Sequence, residues 1–185
     1  GSQAVPTSQR TVTGAGCALL SGSGCADKGS LSNVCIAGGV IGRVVDLGIT
    51  DAANMGAAMA PAAADTLKRH LFDTGRTVED YDLIITGDLG SFGSELFLML
   101  LNDAGIDAGT RHLDCGNIIF SAEQSAVCGG SGCGCSASVL CGHILQRMTC
   151  GDWPRVLFAA TGALMSPTTS QQGESIPGIC HAVAL

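Results

Sequence analysis

Cys133-Gly-Cys-Ser-Ala-Ser-Val-Leu-Cys-Gly-His-Ile-Leu-Gln-Arg-Met-Thr149 is the stretch on which the fold turns. Ala137, Leu140, Cys141, Ile144, Leu145 and Met148 recur at helical spacing, which predicts a helix over Cys133–Thr149 with one apolar stripe. The other face, Ser136, Ser138, Val139, Gly142 and His143, carries no formal charge, and none appears before Arg147. A helix without a charged face is covered on all sides. One sheet covers only one side of it, so a second layer from outside this chain is expected over the Val139–His143 side. Leu96-Phe97-Leu98-Met99-Leu100-Leu101 carries the same signature more weakly.

The composition agrees with close packing. Glycine and alanine together make up 50 of 185 residues, against seven aromatics. Glycine is about twice its ~7% typical usage, yet no triplet period or long Gly/Ser tract is present, so backbone lies near backbone in several layers. Apolar residues at 46% and charged ones at 14% support one folded domain rather than disorder. The net charge of −7 excludes a nucleic-acid surface, which needs clustered Lys and Arg. Mean hydropathy is +0.37, but the longest strongly apolar run, Leu96–Leu101, is far short of the ~18 residues of a membrane span. No secretion signal is expected. The ten cysteines lie mostly in apolar stretches with no C-x-x-C pair, and read as reduced, buried thiols of a cytosolic-type compartment. Cys133 and Cys135 lack the spaced second pair or His of a zinc site, so no metal and no cofactor is expected.

Residues 1–10 read as a cloning remnant (Gly1-Ser2) and a flexible leader, with one domain over 11–185. Residues 11–21 and Val34–Asp46 are β-rich and flank a polar loop at Gly22–Asn33, the pattern of a long hairpin. Pro61 opens a helix that stops at Gly75. Thr77–Asp80 is a capping turn before a strand at Tyr81–Thr86, a helix follows at Ser91–Ala104, and a strand at Asn117–Phe120. After the Cys133–Thr149 helix come strands at Arg155–Ala163 and Ile179–Leu185. From residue 34 the order is βαβαβαββ: an α/β fold with a mixed five-stranded sheet and helices on both faces.

Several motifs then point to a family. Asp46-Leu-Gly-Ile-Thr-Asp51, Ala58-Met-Ala-Pro-Ala-Ala-Ala-Asp65, Thr77-Val-Glu-Asp-Tyr-Asp82 and Asp114-Cys-Gly116 are four of them. Gly129-Gly-Ser-Gly-Cys-Gly-Cys-Ser136, Ala160-Thr-Gly-Ala-Leu-Met-Ser-Pro167 and Gln171-Gln-Gly-Glu-Ser-Ile-Pro177 complete the set. Together they resemble the stage V sporulation protein AD family from about Thr11 to the last residue, and match only its C-terminal half. The resemblance implies a thiolase-like fold of two similar halves, with central helices between two sheets and the N-terminal half absent here. It implies a role in endospore formation, as part of the machinery that moves dipicolinic acid, chelated with calcium, into the developing spore. It also implies peripheral attachment to the forespore or spore inner membrane, other stage V sporulation membrane proteins as partners, and pairing with the absent half or self-association.

Condensing enzymes of the thiolase fold take a Cys nucleophile from the first half and two His, or His and Asn, from the second. Here the loop after the second strand reads Thr86-Gly87-Asp88-Leu89-Gly90, and the loop before the third helix reads Gly130-Ser131-Gly132-Cys133. A carboxylate does not replace a neutral imidazole donor unless its pKa is strongly raised, and an oxyanion hole would lack its usual donors. The expectation is therefore a non-enzymatic binding pocket derived from an enzyme. Ser131, Gly132 and Cys133 either contact an anion through free N–H groups at a helix start or, as small residues, simply let the helix enter between two sheets. Asp88 orients a donor or a metal ion, or caps the next helix. Ser166, Gln171 and Gln172 lie in the loop between the last two strands, and either donate to a carboxylate or tie that loop down. His181, in the last strand, is a ligand contact or a core histidine; His70, His112 and His143 read as structural or solvated. Two other classes stay open: an acyltransferase or condensing enzyme, and a dinucleotide domain at Gly87-Asp-Leu-Gly-Ser-Phe-Gly93, whose spacing departs from G-x-G-x-x-G.

Overall fold

The computed structural model describes residues 5–18, 20, 34–124 and 126–185. Strand β1 (Arg10–Thr11) is followed by β2 (Gly38–Val40), helix α1 (Met55–Thr74), β3 (Leu83–Thr86) and α2 (Gly90–Asn102). Then come β4 (His112–Asp114), α3 (Cys115–Ile118), β5 (Gly130–Ser131) and α4 (Cys135–Val139). A π-helical turn over Leu140–Ile144 joins α4 to α5 (Leu145–Thr149), and β6 (Val156–Ala163), α6 (Pro167–Gln171) and β7 (Gly178–Ala184) close the chain. The sheet order is β2-β7-β6-β3-β4. Pairs β3/β4 and β3/β6 are parallel, while β6/β7 and β2/β7 are antiparallel. This is the expected mixed five-stranded sheet.

All four residues of β3 are buried, because helices cover both faces of the sheet at its centre. Ile84 joins Leu67, Leu71, Phe97 and Leu101 of α1 and α2 on one side. Leu83 and Ile85 join Cys135, Val139, Ile144 and Met148 on the other. The small residues act as predicted. Helices α1 and α2 cross at Gly56 and Gly93, where a Cβ on Gly93 would stand 2.8 Å from the Gly56 Cα; no side chain fits there.

Four sequence expectations need correction. Helix α1 starts at Met55, two turns before Pro61, because Asn54 caps it by accepting from the Ala57 N–H at 3.2 Å, and Pro61 lies inside. The Gly75 stop holds, with φ of 65°. The strand expected at Asn117–Phe120 lies instead at His112–Asp114: Asp114 accepts from the Asn117 N–H and starts a short helix there. The long hairpin is absent among the described residues, since β1 pairs with β5 and β2 with β7; its loop, Gly22–Asn33, lies outside them. Thiols are not uniformly reduced and buried: Cys35 is disulfide-bonded, and Cys17, Cys133 and Cys150 are free but exposed.

The helical rod over residues 135–149 is also covered differently. Its buried positions are Cys135, Val139, Ile144 and Met148. The extra residue of the π turn rotates the predicted stripe, moving Val139 inward to 5% exposure. Residues 12–16 of this same chain lie over the outer side of α4: a Cβ on Gly14 would fall 2.4 Å from the Ser138 Oγ, and one on Gly16 3.0 Å from the Cys141 Cβ. Gly142, His143, Gln146 and Arg147 face outward. Likewise α2 is not enclosed, with Met99 59% exposed.

Candidate functional site

The parallel strands β3 and β4 and the adjoining β6 end at one edge of the sheet, and there the loops that carry polar side chains converge. Beyond Thr86 the chain turns through Gly87, Asp88 and Leu89 into α2. Gly87 passes against β6, where a Cβ would stand 2.5 Å from the Thr161 Oγ1. This close passage aims Asp88 at three donors. Ser131 Oγ–H donates to Asp88 Oδ2 at 2.8 Å and the Gly132 N–H to the same oxygen at 2.9 Å. Thr161 Oγ1–H donates to Oδ1 at 3.0 Å and in turn accepts from the Asp88 N–H at 3.0 Å. The Asp88 residue is only 9% exposed. Behind it, Gln9 Nε2 donates to the carbonyls of Asp88 and Gly130, both at 2.9 Å. Gln9 and Arg10, read from the sequence as part of a flexible leader, are thus built into the site.

A second carboxylate holds the loop from beneath. Asp114, 1% exposed, accepts from Thr86 Oγ1–H at 2.7 Å, from the Leu89 and Gly90 N–H groups at 2.9 and 3.0 Å, and from the Asn117 N–H at 3.2 Å. Burial pushes its pKa up to about 6, against the pull of those hydrogen bonds, and neighbouring Asp88 adds to the rise. Thr86 Oγ1 also meets His112 Nε2 at 2.9 Å. Since the hydroxyl donates to Asp114, the neutral imidazole donates from Nε2, and burial holds its pKa down at about 4. The adjacent thiols are inert: burial lifts Cys115 well above the ordinary thiol range and Cys135 to about 12.

The backbone donors at the start of α2 are spoken for. Leu89 and Gly90 bond Asp114, the Ser91 N–H bonds the Cys128 carbonyl, and the Phe92 N–H bonds Cys128 Sγ. A dinucleotide pyrophosphate would need these amides free, so the loop Gly87–Gly93 does not act as a phosphate cradle.

Of the eight residues named from the sequence, Asp88, Ser131 and Gly132 meet directly. Cys133 follows them as an exposed free thiol. His181 lies one strand away, paired with Ala160 beside Thr161, and its Nδ1 accepts from the Gly42 N–H at 3.1 Å. Ser166 Oγ caps α6 by accepting from the Thr169 N–H at 3.1 Å, which ties down the β6–β7 connection. Gln171 and Gln172 are exposed at the far end of that helix. Thr161, Asp114, Thr86 and Gln9 escaped the sequence reading. Asp114 had a usable signal, an Asp directly before Cys115-Gly116-Asn117, the position of a helix N-cap.

Among the described residues, clefts of about 780, 490 and 430 Å³ open on the surface. The 780 Å³ cleft lies at the opposite edge of the sheet, between the ends of α1 and α2, near Phe72, Arg76 and Ile106. None of the three is lined by Asp88, Ser131 or Gly132.

The model of the family described as stage V sporulation protein AD matches residues 1–185, the whole chain. The chain belongs to the stage V sporulation protein AD family. Stage V sporulation protein AD of Bacillus subtilis (strain 168) is 46% identical over 183 residues, which is 99% of this chain and 52% of that protein. The chain therefore spans about half the length of the curated relative it matches. Membership in this family supports a sporulation role.

Proposed function

We propose that this family member is a non-enzymatic binder of dipicolinic acid with a thiolase-like fold, taking part in the acid's uptake into the developing spore. In this reading the cleft is completed by a second half of the protein, of the size by which the Bacillus subtilis relative exceeds this chain. One observation carries the non-enzymatic part. Where thiolase-like condensing enzymes present a neutral imidazole after the second strand of this half, the loop presents the Asp88 carboxylate, with both its oxygens already accepting hydrogen bonds. Such a group neither donates to a developing oxyanion nor supplies a proton, so it stabilises no acyl-transfer transition state.

A second observation favours the shared cleft. The sheet face opposite α1 is sealed over β3 but only half-covered at Phe158 and Ala160 of β6 and at Ile179 and Val183 of β7, with His181 exposed between them, beside a chain that leaves Ile41, Val44 and Leu47 84%, 62% and 65% exposed. Apolar surface of this kind belongs to an interface. Attachment to the spore inner membrane is peripheral in this reading; among the described residues no helix is long and apolar enough to cross a membrane.

Calorimetric titration of dipicolinate into the full-length protein and into this chain alone tests the proposal. Saturable binding to the full-length protein, weakened at least tenfold in the isolated chain, is expected. Equal tight binding by this chain would overturn the shared cleft, and turnover of acyl-CoA by the full-length protein would restore the condensing-enzyme reading.

A further inference from the structure

Two of the donors that the sequence assigns to a ligand's carboxylate, Ser131 Oγ–H and Gly132 N–H, are not vacant. Ser131 Oγ–H, Gly132 N–H and Thr161 Oγ1–H come from β5, the turn after it, and β6, and all three converge on one carboxylate at 2.8–3.0 Å. That carboxylate is the protein's own. We propose that Asp88 is a resident competitor: its side chain occupies a carboxylate cradle made by Ser131, Gly132 and Thr161, and an incoming carboxylate ligand binds there by displacing it. The proposal rests on the reading that this cleft takes an aromatic dicarboxylate, and adds how the site is regulated.

Three physical points support exchange rather than a fixed structural tie. First, replacing one carboxylate with another leaves every donor satisfied, so displacement does not carry the cost of stranding a buried donor. Second, the cradle is reachable: Gly132 and Cys133 are exposed, and Ser131 and Thr161 are half-buried. Third, no cation holds Asp88 in place. The three ion pairs among the described residues are Arg43–Asp65, Arg147–Asp152 and Arg155–Asp82, all elsewhere. Rotation of the Asp88 side chain returns its charge to water, and the aromatic ring and second carboxylate of the ligand then decide the balance. With Asp88 in place, a dianion meets like charge and an acceptor-only group. A simple monocarboxylate, lacking those further contacts, does not win the exchange.

The test has two arms. In the first, thermal unfolding of this chain is followed against increasing formate, which carries a carboxylate and little else. In Asp88→Ala formate is expected to raise the melting temperature by about 3–6 °C once it reaches ten times its dissociation constant, and the parent to show no comparable rise. Equal response in the two overturns the inference. In the second arm dipicolinate affinity is measured in the full-length protein for the parent, Asp88→Ala and Asp88→Asn. The neutral amide keeps the shape but is a weaker occupant, so it remains informative if the alanine variant fails to fold. Roughly tenfold tighter binding in Asp88→Ala, with a smaller gain in Asp88→Asn, is the expected result. Unchanged or weaker binding in the folded variants overturns the competitor role. If dipicolinate binds none of the three proteins, the dicarboxylate reading fails, and the formate arm still decides whether Asp88 fills an anion cradle.

Discussion

Asp114 and His112 share the Thr86 hydroxyl, and burial moves their proton affinities in opposite senses. Asp114 sits at about 6 in the folded chain against an ordinary 3.8. The native state thus binds a proton before the unfolded chain does. Its contribution to stability grows as pH falls from about 6 towards 4 and is lost as pH rises through 6. His112, at about 4 against 6.5, runs the other way. The unfolded imidazole charges first, so the contribution present above pH 6.5 is lost on acidification towards 4. The two slopes oppose each other across one pH window. We expect Asp114→Asn to steepen the acid loss of stability and His112→Gln to flatten it, read from urea midpoints at half-unit pH steps. Parallel profiles for both variants and the parent would contradict the assignment. At pH 7 Asp114→Asn should also cost about 2–4 kcal/mol, because its new N–H₂ faces an amide N–H of Leu89 or Gly90 and strands a buried donor.

At the scale of elements, much was legible and the misses share a cause. The strands at 81–86, 155–163 and 179–185 were readable from β-branched apolar runs between turn residues, and the α1 stop from Gly75, because those signals are local. Pro61 misled because tertiary packing against β7 and α2 overrides its local preference for a first turn. The β4 assignment slipped because Asp114 acts as both strand end and helix cap, and only the fold shows which backbone it bonds. The site was half legible: Asp88, Ser131 and Gly132 lie in glycine-rich loops that attract attention. Thr161 is an ordinary strand residue, and its role follows from cross-strand position rather than from sequence spacing. Two substitutions test the packing. Gly93→Ala gains up to about 1 kcal/mol of helix propensity, but its Cβ meets the Gly56 backbone, so a net loss of about 1–3 kcal/mol in chemical denaturation is expected. Ser138 Oγ is buried beneath residues 12–16 without a hydrogen-bond partner among the described residues, so Ser138→Ala should stabilise by about 1 kcal/mol. A marked loss there would mean that the hydroxyl has a partner in solution.

For the whole molecule, one face of the sheet is finished and the other is not. Helices α1 and α2 seal the first, whereas the second is sealed over β3, half-covered along β6 and β7, and exposed at His181. The isolated chain should therefore self-associate, with Ile41→Glu and Val44→Glu together restoring a monomer in light scattering; a monodisperse monomer of the unsubstituted chain would remove the argument for a missing layer. The same edge of the sheet carries the Asp88 junction, so completing the fold and completing the cleft are one event in this account. Backbone amide chemical shifts followed during a dipicolinate titration of the full-length protein test it most directly. The account predicts saturable shifts concentrated at Asp88, Ser131, Gly132 and Thr161. Saturable binding that leaves those four amides unmoved, or the absence of any binding, would contradict it.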